Sequence, residues 1–211
     1  PDTLYIGTNG DGFYKSSNGG TNWSAFNAGL NPLTEVTALA INPATPGSIY
    51  AGVRDLAFNS ASIVKHGSAA PDVNLVWTPS DTGLPNPDFE LIETLIIDPI
   101  TPSTLYAGSG IGAVYKSTDG GNNWSDDING LPSALVKVLV IDPVNPKILY
   151  AGIPGYGVFK KEFSGDFWLP ASFGLNDPNV ESLAIAPSNP QVLYAGTFGS
   201  GVFKTTDAGF N

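Results

Sequence analysis

Short apolar stretches of about six residues recur along this chain, and each ends at an Asn-Pro, Asp-Pro or Ala-Pro pair. They cover residues 36–41, 92–97, 136–141 and 180–185. Their near-continuous Val, Ile, Leu and Ala content predicts a strand that is buried on both faces. The proline removes the amide that would continue the ladder, so each strand is predicted to end there. We therefore expect four inner strands at the centre of a repeating fold.

A second pattern follows each proline: Pro-x-Thr/Asn-Pro, and four residues later Tyr-Ala-Gly. Tyr5 opens the chain in the same way, and its successors Tyr50, Tyr106, Tyr150 and Tyr194 follow at intervals of 45, 56, 44 and 44 residues. A period of roughly 40–50 residues made of short strands is typical of propeller blades. The sequence thus predicts an all-β protein, a β-propeller of four-stranded antiparallel blades.

Two further markers complete each repeat. A third strand ends in Lys, and a fourth begins at Trp23, Trp77, Trp124 or Trp168, with a Leu always seven residues later. This regularity predicts an antiparallel meander that buries a Trp and a Tyr between neighbouring blades. The repeats are expected near residues 1–30, 31–84, 85–131, 132–175 and 176–211, as one propeller segment.

The repeats predict about five consecutive blades with 18 strands, the first blade lacking its inner strand and the last its outer one. We expect these blades to belong to a longer chain with a propeller of about 6–8 blades. Unpaired blade edges attract other strands, so association through the open edges is a further expectation.

Between the third and fourth strands lies the turn Ser-x-Asp/Asn-x-Gly-x-x-Trp. A short carboxylate or carboxamide in such a turn bonds nearby backbone amides, which predicts a structural role. The residues concerned are Ser16, Asn18, Gly20 and Trp23; Ser117, Asp119, Gly121 and Trp124; and Thr205, Asp207 and Gly209.

This turn resembles the Asp-box (BNR) repeat of sialidases, sortilin-type receptor ectodomains, photosystem assembly factors and xyloglucan-cleaving glycoside hydrolases. The run Leu-Tyr-Ala-Gly, Val-Tyr-Lys-Ser-Thr-Asp-Gly-Gly and Trp at residues 105–124 is most similar to the xyloglucanases and their secreted relatives. The resemblance covers the whole chain. It implies a propeller in an extracellular or cell-surface protein. Enzymes and scaffolds share the repeat, so it does not by itself imply catalysis.

Composition narrows the range of partners. A net charge of −10 makes nucleic acid and anionic membranes poor partners. No apolar run reaches the roughly 18 residues of a membrane span, so no membrane insertion is expected. The absence of Cys excludes disulfides and thiolate metal sites. The single histidine, His66, is expected in a solvated loop, and we predict no metal site and no cofactor.

Catalytic chemistry is predicted to be missing from this segment. Sialidases, as a family, grip their substrate with three arginines, whereas this chain has only Arg54. The resemblance to xyloglucanases implies an aspartate soon after each Tyr-Ala strand, and glycoside hydrolysis needs a pair of carboxyl groups. None of the matching positions is acidic: Asn9, Arg54, Gly110, Pro154 and Phe198. Only a one-residue shift of the loop would bring Asp11 into that place.

Residues outside the repeat gather in the second unit, which is 12 residues longer than the units with a 44-residue period. Its insertions lie within residues 53–61, 66–75 and 85–91, and the first and last are expected to open on one face. Rings stack on sugars and carboxylates accept bonds from hydroxyls, which favours a ligand surface there. Its candidates are Asn9, Asp11, Asp55, Phe58, Asp88, Phe89, Glu90, Tyr156 and Phe198. The alternative is that the loops have drifted without function.

Two functions remain open from the sequence. The first is a non-catalytic secreted or surface propeller that offers a binding platform to a glycan or a protein. The second is a fragment of an endo-acting, xyloglucanase-like glycoside hydrolase with catalytic acids partly outside these 211 residues.

Overall fold

The fold is all-β, as a computed structural model describes it for residues 2–67, 76–85, 91–162 and 167–210. In these ranges, eighteen strands form five antiparallel sheets, here called the first to fifth blades. The first blade contains β1 (Leu4–Gly7), β2 (Phe13–Ser16) and β3 (Ser24–Ala25). The second contains β4 (Thr34–Ile41), β5 (Ile49–Asp55), β6 (Ser60–His66) and β7 (Thr78–Pro79).

The later blades repeat this meander in chain order. The third blade contains β8 (Ile92–Ile97), β9 (Leu105–Ser109), β10 (Val114–Ser117) and β11 (Ser125–Asp126). The fourth contains β12 (Val138–Ile141), β13 (Ile148–Ile153), β14 (Gly157–Glu162) and β15 (Trp168–Pro170). The fifth contains β16 (Val180–Ile185), β17 (Leu193–Thr197) and β18 (Gly201–Thr205).

Strand register explains the constant spacing of Tyr and Lys. The Tyr of each second strand is the direct cross-strand partner of the Lys of the third. The ammonium group lies over the ring, for example 5.6 Å from its centroid in the pair of Lys116 and Tyr106. In the second blade the interval is longer because β5 and β6 are themselves longer. The insertion at residues 53–61 is therefore an extended hairpin, with a turn at residues 56–59, rather than a wide loop.

The prediction that the inner strands are buried on both faces is wrong. Most residues of β4 and β12 are only half-buried, and half of those in β16 are exposed. The deepest strands are instead β5, β9 and β13, which contain the Tyr-Ala-Gly motif. The reason is position: an inner strand is an edge of its sheet, whereas the second strand has neighbours on both sides.

Tryptophans join consecutive blades. Trp77, Trp124 and Trp168 are at most 5% exposed, and each indole N–H donates to a backbone oxygen of the preceding blade. The acceptors are Phe26 at 2.8 Å, Ser80 at 2.7 Å and Asp127 at 2.9 Å. Trp23, in the first blade, is 39% exposed. The buried indoles therefore act as repeated connectors, and the predicted propeller fold is confirmed.

The blades have two chemically different ends. The Asp-box end carries the turns at residues 16–20, 117–121 and 205–209. The hairpin end carries the second-to-third-strand loops at residues 8–12, 56–59, 110–113, 154–156 and 198–200. Backbone bonds tie these loops to the connections between blades, as from Gly12 N to Thr34 O at 2.8 Å and from Gly155 N to Pro178 O at 3.0 Å.

Candidate functional site

The turns of the Asp-box end are closed by their own side chains. Ser16 Oγ donates to Asn18 Oδ1 at 3.0 Å and accepts the amide of Gly20 at 2.9 Å. Asn18 Oδ1 also accepts the amide of Asn22 at 2.9 Å. Ser117, Asp119 and Gly121 repeat this arrangement with Asn123, and Thr205, Asp207 and Gly209 repeat its first two bonds.

These turns also receive contacts from the neighbouring blade. Tyr50 Oη donates to Gly120 O at 3.0 Å, and Tyr150 Oη donates to Ala208 O at 3.2 Å. Hydrogen bonds from the side chain and backbone of Asn123 and from the Ser117 hydroxyl lower the pKa of Asp119 to about 2. Because the oxygens of Asp119 accept hydrogen bonds within the turn, this carboxylate stabilises the turn in this geometry.

A polar cluster joins the first and second blades at the hairpin end. Glu35, at the start of β4, accepts a bond from Asn9 Nδ2 at 3.2 Å and forms an ion pair with Arg54 at 2.6 Å. Beside it, Asn31 donates to the carboxylate of Asp55. Sequence reasoning missed Glu35, and its only signal was an acidic residue just before an apolar inner strand.

This cluster occupies two positions at which the xyloglucanase resemblance implies an acid. Asn9 and Arg54 both contact Glu35, so its carboxylate is held by protein groups. Asp11 lies at the surface of the same loop, where its amide donates to Thr8 Oγ1 at 3.1 Å and its carbonyl accepts from Asn27 at 3.0 Å. The described residues show a positioned ion pair here rather than two carboxyl groups flanking an open groove.

A second cluster lies where the fourth blade leads into the fifth. Asp177 Oδ1 accepts the amide of Asn179 at 3.0 Å, and Oδ2 accepts the amide of Gly199 at 3.2 Å. These bonds, with one from the Ser200 side chain, lower the pKa of Asp177 to about 2, and the Asn179 amide contributes most. Asp177 was not among the sequence candidates, although Asn-Asp-Pro-Asn is a strong turn sequence.

Two predicted aromatic residues flank this connection. Phe198 donates its amide to Asn179 O at 2.9 Å, while Gly155 and Gly157, on either side of Tyr156, both donate to Pro178 O. The side chain of Tyr156 is 55% exposed and that of Phe198 is 84% exposed. The structure therefore places these two rings on adjoining, hydrogen-bonded loops of one end of the propeller.

The ligand-surface candidates from the sequence do not form one continuous site. Phe58 is 76% exposed in the hairpin turn of the second blade, where Asp55 Oδ1 accepts its amide at 3.3 Å. Asp55 and Asn9 belong to the first cluster, and Tyr156 and Phe198 belong to the second. Asp88, Phe89 and Glu90 lie outside the described residues.

His66 corrects one expectation from the sequence. It ends β6, is 4% exposed, and its ring centroid lies 4.3 Å from that of Phe26 and 5.3 Å from that of Trp77. It belongs to the interior between the first two blades, because the residue that follows the third-strand Lys is buried in other blades too, as Ser16 and Ser117 are. Across the described ranges, no three His, Asp or Glu side chains group together as metal ligands would. Within the same ranges there is no helix suited to crossing a bilayer.

Comparison with known proteins gives three informative matches. A probable oligoxyloglucan-reducing end-specific xyloglucanase of Neosartorya fischeri is 31% identical over 137 residues, and the match covers 61% of this chain and 16% of that protein. The solved GH74 xyloglucanase from Xanthomonas campestris matches the whole chain at a TM-score of 0.60 with 18% identity, over 40% of its own length. A structure of YCF48 bound to D1 peptide matches at 0.65 with 11% identity, over 71% of its chain.

These matches confirm the resemblance to xyloglucanase propellers and the propeller fold. No protein-family profile matches the chain. The chain spans only about a sixth of its curated relative and two fifths of the Xanthomonas enzyme. At 18% and 11% identity, the two structural matches establish the fold alone. The sequence match to the Neosartorya xyloglucanase supports a propeller segment similar to part of a glycoside hydrolase.

Proposed function

We propose that this chain is a non-catalytic propeller of a secreted or surface protein that binds a xyloglucan-type β-glucan at its hairpin end. The observation that carries the proposal is the pair of exposed rings, Tyr156 and Phe198, on two loops that both hydrogen-bond to the connection around Asp177. Aromatic faces stack on the apolar faces of pyranose rings, while nearby amides and hydroxyls can bond sugar hydroxyls.

The rigidity of these loops supports a binding role. The Asp177 carboxylate bonds amides on both sides of the cluster, so the backbone that carries Phe198 is already ordered. Binding to an ordered surface loses less conformational entropy than binding to a surface that must first fold. The curated relative acts on xyloglucan oligosaccharides by its name, which suggests the class of glycan.

The absence of a carboxyl pair at the implied positions supports the non-catalytic part of the proposal. Asn9 provides a carboxamide, and Arg54 provides a guanidinium that holds Glu35. Neither group can serve as the acid or the base of glycoside hydrolysis. The 31% identity to a xyloglucanase favours the alternative, a fragment of an endo-acting glycoside hydrolase with acids elsewhere in a longer chain.

Calorimetric titration of the chain with xyloglucan oligosaccharides tests binding. We expect saturable binding that falls about tenfold or more when Tyr156 and Phe198 are both replaced by Ala. Phe167→Ala is the matched control, because Phe167 is 60% exposed beside the fourth-blade Trp, away from the hairpin loops. Equal losses in both variants, or no binding by the folded wild-type chain, would refute the glycan site.

Reducing-end release from xyloglucan tests catalysis separately. We expect none from the 211-residue chain, and release that survives purification of the chain would establish the hydrolase alternative. Detection of the protein in culture medium or on the cell surface tests secretion, and its confinement to the cytosol would contradict that part of the proposal.

A further inference from the structure

Two blades lack the Asp-box sequence, and in both of them the residue after the third-strand Lys reaches across a blade boundary. In the second blade this residue is His66, and in the fourth it is Lys161. In the other blades it is a Ser or Thr whose hydroxyl closes the Asp-box turn of its own blade: Ser16, Ser117 and Thr205. The position therefore has a different task where the turn sequence is missing.

Both side chains contact the same position on the preceding blade, the third residue after its Trp. The ring centroid of His66 lies 4.3 Å from that of Phe26, and Lys161 forms an ion pair with Asp127. The backbone oxygens of Phe26 and Asp127 also accept the indole N–H of the Trp in the next blade. The two contacts are therefore equivalent parts of two blade boundaries.

The boundary between the second and third blades uses the same position with an Asp-box turn. Ser80, the third residue after Trp77, donates its hydroxyl to Gly121 O at 2.7 Å, inside the turn of the third blade. Across three boundaries, this position thus faces an imidazole ring, a backbone oxygen or an ammonium group, and it is Phe, Ser or Asp accordingly. Its side chain is matched to the blade that follows.

The pair between the third and fourth blades is charged and largely buried. The side chain of Lys161 is 13% exposed and that of Asp127 is 12% exposed. Burial, with smaller contributions from the carboxylates of Asp127 and Asp98, raises the pKa of Tyr106 at this boundary to about 12. An ammonium group buried here without a carboxylate would lose its hydration and gain no partner, which is strongly unfavourable.

The equivalent position in the other blades has no carboxylate. The third residue after Trp is Phe26 in the first blade, Ser80 in the second and Ala171 in the fourth. A fourth blade docked on one of these surfaces would bury Lys161 without a partner, whereas docking on the third blade pairs it. Unpaired buried charges exclude wrong partners in this way at many interfaces.

We propose that the buried pair of Asp127 and Lys161 fixes the order of the blades, by admitting the fourth blade onto the third and disfavouring its docking elsewhere during folding. The blades resemble one another, and misassembly of similar units is a characteristic failure of repeat proteins. A buried ion pair suits this role because it adds little net stability over apolar residues of similar volume, while loss of one partner is costly. The inference is independent of the glycan proposal, which concerns the loops of the hairpin end.

Two variants of the full 211-residue chain measure what the pair contributes to stability. Lys161→Met leaves Asp127 buried without its partner and should lower the equilibrium constant for folding by about 100-fold or more. Asp127→Leu combined with Lys161→Met replaces both charges by apolar groups and should return that constant to within about tenfold of the wild-type value. Urea denaturation measures both changes.

Refolding gives the readout that a merely stabilising pair would not change. After dilution from urea, the doubly apolar variant should yield less native monomer and more misassembled chain than wild type, even though its stability is similar. Size-exclusion chromatography of the refolded samples measures the two fractions. The matched control is Glu93→Leu with Lys137→Met, since that ion pair joins the same two blades but its Lys side chain is 37% exposed. The control should refold with the wild-type yield.

Equal refolding yields for wild type and the doubly apolar variant would overturn the proposal, as would unchanged stability of Lys161→Met. An equal loss of yield in the control would also overturn it, because removal of any ion pair would then have the same effect. Should the doubly apolar chain fail to fold, the exchanged pair decides: Asp127→Lys alone should lose native yield, and adding Lys161→Asp should restore it. No restoration would refute the role of the pair.

Discussion

The two ends of this propeller differ in how far they vary from blade to blade. At the Asp-box end, Ser16 with Asn18, Ser117 with Asp119, and Thr205 with Asp207 make the same bonds three times. At the hairpin end, the five loops differ in length and sequence, and their most exposed side chains include Phe58, Tyr156 and Phe198. Repetition is found where residues join the blades together, and variation where they face solvent. The comparison indicates that any ligand specificity lies at the hairpin end.

The largest effect should come from a connector between blades. Trp168→Ala removes an indole that is 1% exposed and leaves Asp127 O without its donor, so we expect a loss of about 3–5 kcal/mol in unfolding free energy. Trp23→Ala is the control and should cost about 1 kcal/mol or less, because Trp23 is 39% exposed. Urea denaturation measures both. Similar losses would show that the Trp sites do not differ in packing.

A smaller effect on stability should appear at acidic pH. The pKa of Asp119 is about 2 in the folded chain, against roughly 3.9 when unfolded. Its contribution to stability is therefore complete above about pH 4 and is lost as the pH falls through 2. Asp119→Asn should make the loss of stability between pH 4 and 2 less steep, and Asn18→Asp should make it steeper. Thermal melts across that range measure this difference, and parallel curves for the three proteins would contradict it.

Backbone conformation at the Asp-box end gives a paired test of opposite signs. Gly120 has φ of 72°, and Ala208 occupies the equivalent position with φ of 61°. A Cβ in this region costs about 1 kcal/mol. Gly120→Ala should therefore destabilise the chain by about that amount. Ala208→Gly should stabilise the chain, but by a slightly smaller amount, because Gly also increases the conformational entropy of the unfolded state. Chemical denaturation of the two variants measures both changes, and changes of the same sign would contradict the assignment.

The smallest effect on stability should come from the hairpin end. Replacing Tyr156 and Phe198 by Ala should change the unfolding free energy by no more than about 0.5 kcal/mol for each residue, because both rings are exposed. The same variant is expected to lose glycan affinity. A large loss of stability would instead assign these rings to the framework and remove the contrast between the two ends.

Much of the framework was predictable because its signals are local. The interval of ten residues between Tyr and Lys is the length of a hairpin that makes them cross-strand partners, so spacing alone indicated the meander. Where the interval was longer, spacing alone did not distinguish a wide loop from an extended hairpin. The backbone pairing of Arg54 with Ala61 shows the hairpin.

The candidate site was less predictable because its contacts join distant parts of the chain. Glu35 is 26 residues from Asn9, and the framework bond from Tyr50 to Gly120 spans 70 residues. No periodicity records which loops meet when blades pack side by side, so Glu35 and Asp177 were missed. The position of His66 was mispredicted for the same reason, since Phe26 and Trp77 cover it from other parts of the chain.

The sequence by itself determined the blade, because strand alternation, turn chemistry and Trp spacing act within some 45 residues. The tertiary structure decided which strand is deepest and which carboxylates are held by hydrogen bonds and ion pairs. Those properties depend on neighbours across a blade boundary. Burial and ion pairing are set by what lies opposite a residue in space, and the local sequence does not record it.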